Sequence, residues 1–285
     1  MPRALVVALA ALLTTAPVPA FAAEQGPALK VLLARIAQQV SQFKAEFSLI
    51  VGVEHYEQWQ RTADARTRTR HLVSDVFFYR PESTGPAMTV RTVRQVDGRS
   101  IEASGDRIAD ALALPGSRRV EQLRALADSG ARYNLGDLQR NFNEPTVALT
   151  FAASDFQPRF KFALEGTEEV NGERVQRVKF SEVDRPTIIH DARSGANIPS
   201  SGHLWTSDDG VIKRTELHLD ARRHTLVDIR VSYGIDSRLG VIVPVSMDED
   251  YRYKDKNTQR IVFITGHAVY SDYRRFETSG RVVMP

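Results

Sequence analysis

The chain has 285 residues, with 38 Lys and Arg against 35 Asp and Glu and a formal net charge of +3. So even a balance argues against a nucleic-acid partner, which would call for a strongly basic surface. Cysteine is absent, which excludes disulfides, thiolate metal sites and lipidation through an N-terminal Cys.

The first element reads as a secretory signal peptide: Arg3, an apolar run over residues 4–13, and Ala20-Phe21-Ala22 as a small-x-small cleavage site. The apolar run is far shorter than the ~20 residues that span a bilayer, and no later segment has the length and apolarity to do so. Cleavage after Ala22 leaves roughly 260 residues, read as one soluble domain over residues 23–285 and large enough to bury a core unaided. Export places it in the periplasm.

Over residues 29–43, Leu32, Ile36, Val40 and Phe43 recur at helical spacing and predict an amphipathic helix. The period then changes to two: Ala45, Phe47, Leu49, Val51 and Val53 predict a strand over residues 45–53 with that set on its buried face. Further strands are expected over residues 67–79 and 88–96, the latter closed by the turn dipeptide Asp97-Gly98. A helical insertion follows at about residues 105–142. Its elements carry Ile108, Ala111 and Leu112, then Val120, Leu123, Leu126 and Ala127 up to Gly130, with a third short turn over residues 135–142.

After Pro145 almost everything reads as strand. Phe160, Phe162 and Leu164 alternate with polar neighbours, and Asn171-Gly172 turns the chain into residues 174–180. Val211, Lys213, Thr215, Leu217 and Leu219 then oppose Ile212, Arg214, Glu216 and His218. Val227, Ile229, Val231 and Tyr233, then Val243, Val245, Met247 and Tyr251, continue the pattern, and a last strand covers residues 261–273. The class is α+β, mostly β: a strongly curved antiparallel sheet, a half-barrel, with one face covered by the N-terminal helix and the inserted helices. An outer-membrane barrel fits poorly, because the insertion is large and no lipid-facing band with aromatic girdles is visible.

No catalytic motif emerges. Ser41-Gln42-Phe43-Lys44 matches S-x-x-K, but neither S-D-N nor K-T-G follows it. The histidines are scattered, without H-E-x-x-H or H-x-H; only strand pairing could gather His203, His218 and His267. Asp248-Glu249-Asp250 would alternate between two faces of a strand and lacks the glycine and ligand spacing of a Ca²⁺ loop. No phosphate loop or dinucleotide fingerprint occurs, and no metal or cofactor is expected.

Two features could bind a ligand. Arg66, Arg68 and Arg70 at strand spacing could hold an anion, or form an ordinary solvated face. The apolar sheet face with Phe160, Phe162, Leu217, Ile229, Val231, Met247 and Tyr251 could hold an acyl chain, or be a filled core, the usual outcome. If the concave face is packed solid with no opening, the reading of an open carrier goes.

The order of parts, an N-terminal helix and then a long antiparallel meander with helices inserted part-way, resembles the half-barrel of the bacterial lipoprotein carriers, the LolA-like outer-membrane lipoprotein-sorting superfamily. The runs over residues 50–58, 178–187, 202–205 and 238–247 are similar to an uncharacterised family of bacterial exported proteins. The resemblance implies a concavity able to take a lipid or a lipoprotein acyl chain and carries no catalytic residue. The expected role is non-enzymatic binding of a lipid or other hydrophobic ligand. The alternatives are a structural or protein-interaction module of the envelope and a hydrolase without a recognisable motif.

Overall fold

The computed structural model describes residues 7–9, 26–47, 50–62, 66–79, 88–101, 107–138, 140, 143–191, 194–221, 225–255 and 257–275. Of the expected signal peptide, those residues include a three-residue strand, β1 (Val7–Leu9), paired with residues 189–191; the Ala20-Phe21-Ala22 site lies outside them.

Helix α1 (Pro27–Phe47) buries Leu29, Leu32, Leu33, Ile36, Val40, Phe43 and Phe47 along one stripe. It runs further than expected, so the strand reading of residues 45–47 is corrected. Phe43 and Phe47 are one turn apart and stack with ring centroids 4.7 Å apart, which makes Phe47 the end of the helical stripe rather than the start of a strand.

The sheet begins with β2 (Ile50–Thr62), β3 (Arg68–Tyr79), β4 (Met88–Val96) and the short β5 (Arg99–Ser100). Asp97 and Gly98 both have positive φ, 50° and 77°, as the expected hairpin turn requires. The insertion supplies α2 (Arg107–Ala113) and α3 (Gly116–Ala131). Residues 132–137 form turns and bends where the third helical turn over residues 135–142 was expected to begin, and residues 139, 141 and 142 of that turn lie outside the described residues. A short helix instead follows at α4 (Val147–Phe151), where strand was expected. All five of its residues are buried, so no polar face marked its period.

Strands β6 (Phe160–Val170), β7 (Glu173–Glu182), β8 (Ile189–Asp191), β9 (Ser200–Thr206), β10 (Ile212–Ala221), β11 (Thr225–Ile235), β12 (Ile242–Lys254) and β13 (Ile261–Arg275) complete the chain. Eleven of the strands make one antiparallel sheet in the order β5-β4-β3-β2-β13-β12-β11-β10-β9-β7-β6. The last strand returns beside β2 and joins the N-terminal meander to the C-terminal one. The sheet does not close, and the architecture is the expected half-barrel.

The inner face carries one large core with α1 and α4. A second, smaller core lies on the opposite face, where Val51, Phe77, Tyr79 and Val90 meet Ile108, Ala111, Leu123 and Leu126 of α2 and α3. One covered face is therefore corrected to two at this end of the sheet. Two register shifts also move side chains between faces. A bulge between Ile212 and Arg214 buries Ile212, expected on the polar face, and one beside Ser232 leaves Val245 exposed, expected on the apolar one.

Candidate ligand-binding face

Cross-strand pairing lines up one row of residues on the inner face across nine strands. From β6 to β3 it reads Phe162, Phe180, Gly202, Leu217, Ile229, Glu249, Gly266, Gln58 and Arg70. At ~4.8 Å per strand the row is about 38 Å long. Its first half is apolar and its second half polar.

The apolar half holds the residues expected from sequence. Phe160, Phe162, Leu217, Ile229, Val231, Met247 and Tyr251 all belong to one core, each at most 8% exposed. Their space is occupied by the chain itself. Phe151 of α4 stacks on Phe160 at 5.0 Å, and Phe43 of α1 meets Tyr233 edge-on at 6.5 Å. A cleft under α1, lined by Val40, Phe43, Leu149 and Tyr233, has about 20 Å³ of free volume, room for about one water. This form of the face is a filled core, the outcome that removes the open-carrier reading, so a ligand could reach it only by replacing the cover.

The cover is α1 together with residues 132–138, 140 and 143–153. Gly210, at φ +91°, lets the β9–β10 turn touch the α1 backbone: a Cβ there would fall 2.6 Å from the Arg35 carbonyl carbon. At the other end, Phe47 contacts Phe78 and Tyr273. Gln157 ties the end of α4 to α1, its side-chain amide donating to the Ala152 carbonyl at 2.8 Å and to the Leu33 carbonyl at 2.9 Å.

The polar half was not foreseen. Arg140 is fully buried and donates to the Tyr56 hydroxyl at 3.1 Å, to Gln58 Oε1, and to the Leu135 carbonyl at 3.1 Å. Its guanidinium lies 4.9 Å from the Tyr251 ring centroid and 3.7 Å from Glu249. Tyr56 donates a very short hydrogen bond to Glu249 Oε2, and the Tyr251 hydroxyl lies against the same carboxylate. Burial pushes the Glu249 carboxyl above its ordinary range, opposed by the Arg140 charge and the Tyr56 hydroxyl. Beside it, Glu54 and Arg91 form a two-point pair, and Arg91 also donates to the Asn143 carbonyl at 3.3 Å.

A signal for this cluster exists in the sequence. Glu249 falls in phase with Met247 and Tyr251, so the alternation that makes the strand apolar inside also places a carboxylate there. Glu54, Tyr56 and Gln58 were missed because the inner phase of β2 is the even one. Val51 and Val53, expected to face the main core, are on the opposite side, with Val51 in the core beneath α2 and α3.

The Arg row is not three equivalent side chains. Arg66 precedes β3 and is exposed, Arg68 is within 3.5 Å of Gln60, and Arg70 is engaged with the Tyr133 carbonyl at 3.0 Å and Asp97 at 3.1 Å. The three histidines point outward, each against its own carboxylate: His203 with Glu216 at 2.9 Å, His218 with Asp228 and His267 with Asp248, both at 2.8 Å. They do not converge on a common centre. Among the described residues no group of three His, Asp or Glu is placed to hold a metal ion. Ser41 is exposed on α1 and Lys44 lies 5.9 Å from the Phe156 ring centroid.

Solved structures that resemble the chain include a LolA-superfamily protein from Nitrosomonas europaea, 11% identical, covering 85% of this chain and 94% of that one at a TM-score of 0.32. Others are a DUF1329 family protein from Desulfovibrio piger, 12% identical over 87% and 93% at 0.38, and the lipoprotein LppX of Mycobacterium tuberculosis, 9% identical over 86% and 95% at 0.25. No family model and no curated protein matches the sequence. No helix among the described residues is long and apolar enough to cross a membrane.

Proposed function

We propose that this is an exported periplasmic protein that binds an amphipathic ligand, such as a lipid or the acyl chain of a lipoprotein, on the inner face of its half-barrel without covalent chemistry. The observation that carries the reading is the cross-strand row, apolar from Phe162 to Ile229 and polar from Glu249 to Arg70. An acyl chain replacing α1 over the apolar half gains about 0.8 kcal/mol for each CH₂ removed from water, while a head group meets the polar half.

The cover is suited to exchange. Helix α1 makes its own backbone hydrogen bonds, and none of the eleven sheet strands pairs with it, so it can leave without breaking the ladder. The exposed apolar residues of the outer face offer less to a partner protein. Trp59, Phe263 and Val269 are interspersed with Glu57, Thr265 and His267 rather than joined in a patch.

Native mass spectrometry of protein isolated from the periplasm tests the reading. A bound species of lipid mass, removed by delipidation and regained on incubation with lipid, is the expected result. Protein that emerges without lipid and takes none up when offered phospholipid vesicles would sink it.

A further inference from the structure

We infer that the cage now filled by Arg140 is the head-group subsite, and that the ligand it takes is a cationic amphiphile bearing a guanidinium or ammonium group. This rests on the amphipathic-ligand reading above and names the chemistry of its polar end. Arg140 belongs to the cover, whereas most of what surrounds its guanidinium belongs to the sheet: Tyr56 and Gln58 on β2, Glu249 and Tyr251 on β12. Among the described residues of the covering segment, the Leu135 carbonyl accepts from it. When the cover leaves, an aromatic face, a phenol oxygen, an amide oxygen and a carboxylate remain, a set of acceptors with the geometry of a planar cation already imposed on it.

Charge selects the same class. Arg91 acts on Glu249 from a distance, but it is held at two points by Glu54, whose own charge acts on Glu249 in the opposite sense. Among the described residues the ion pair of Glu249 is with Arg140. Removing Arg140 therefore leaves one uncompensated carboxylate at the polar end of an apolar face. A neutral or anionic head group would leave that charge buried and unpaired, while a cation replaces what Arg140 supplied. Arg140 acts as an internal competitor that keeps the cage occupied until a ligand carrying the same chemistry arrives.

The test is isothermal titration calorimetry of the intact protein with decylguanidinium and decanoate, each below its micelle concentration. Wild type is expected to bind decylguanidinium at least tenfold more tightly than decanoate. Glu249→Gln should erase that preference without weakening decanoate, and Arg140→Ala should raise decylguanidinium affinity at least tenfold. If Arg140→Ala is poorly folded, ethylguanidinium should raise its melting temperature while leaving wild type unmoved. Equal binding of the two amphiphiles by wild type, or a preference for decanoate, overturns the cation assignment and leaves the amphiphile reading standing. Binding of neither, by wild type or variant, overturns both.

Discussion

Arg91 on β4 reaches across the intervening β3 to Glu54 on β2, with Nε 2.5 Å from Oε2 and Nη2 2.8 Å from Oε1. Both side chains are almost fully buried. Attraction to Glu54 raises the Arg91 pKa against the opposing effect of burial. A pair like this costs desolvation on both sides, so its loss is asymmetric. Arg91→Ala alone should destabilise the fold by about 3–5 kcal/mol, because it strands Glu54 in the core. Arg91→Met combined with Glu54→Leu should cost clearly less. Urea unfolding of the two variants decides this, and equal losses would refute it.

Glu144 lies next to Asn143, whose carbonyl accepts from Arg91, and it is largely buried beside Thr89. Burial pushes its carboxyl from the ordinary 4.5 up to about 7, with the Thr89 amide and the Arg91 charge pulling the other way. The fold thus prefers Glu144 protonated. Its contribution to stability is complete below the unfolded value and is lost as pH rises through about 7, by at most about 3 kcal/mol. Glu144→Gln should keep that stability at high pH. Melting temperatures of wild type and variant, compared at about pH 3.5 and pH 8, should diverge at the higher pH and not at the lower.

The half-barrel was legible because most strands keep one apolar phase. Val227, Ile229, Val231 and Tyr233 alternate over the whole of their run, and all four are buried as expected. The phase of β2 was not legible, since both of its faces are buried near its start: Ile50 inward on the main core and Val51 outward under α2 and α3. Alternation carries no information where both sides are covered. The polar cluster was hidden for a related reason. Arg140 comes from a segment without periodicity, 84 residues from Tyr56 in sequence, and only the folded chain brings them together.

Gly266 sits at the centre of that cluster. A Cβ built there would lie 2.8 Å from the Tyr56 hydroxyl and 2.9 Å from Glu249 Oε2, closer than van der Waals contact allows. The absent side chain is what lets Tyr56 and Glu249 meet across β13. Gly266→Ala should therefore lose about 1–3 kcal/mol, the cost of overpacking, by forcing that pair apart. Ser41→Ala, at an exposed position on α1, is the control and should change stability by about 0.5 kcal/mol or less. Chemical denaturation of both variants measures the difference, and similar losses would show that the Tyr56–Glu249 contact does not set the requirement.

If the cover exchanges for a ligand, it must open more easily than the sheet it covers. Strand β11 is laddered on both sides, to β10 and to β12, so its amides exchange only when several strands separate. Helix α1 is held by its apolar stripe and by a few side-chain bonds to its carbonyls from elsewhere: Gln157 to Leu33 at 2.9 Å and Arg275 to Glu46 at 3.3 Å. Arg35 of α1 adds one outward, to the Asp208 carbonyl at 2.7 Å. Losing these does not disturb the ladder. The interior amides of α1 should then exchange at least tenfold faster than those of β11, equivalent to an opening about 1.4 kcal/mol easier. Gln157→Ala should widen that gap by releasing α4 from α1, with β11 unchanged. Hydrogen exchange followed by mass spectrometry resolves both segments. Helix and strand opening together, in wild type and in the Gln157 variant alike, would mean that the cover is part of one cooperative core and would leave a ligand no route to the inner face.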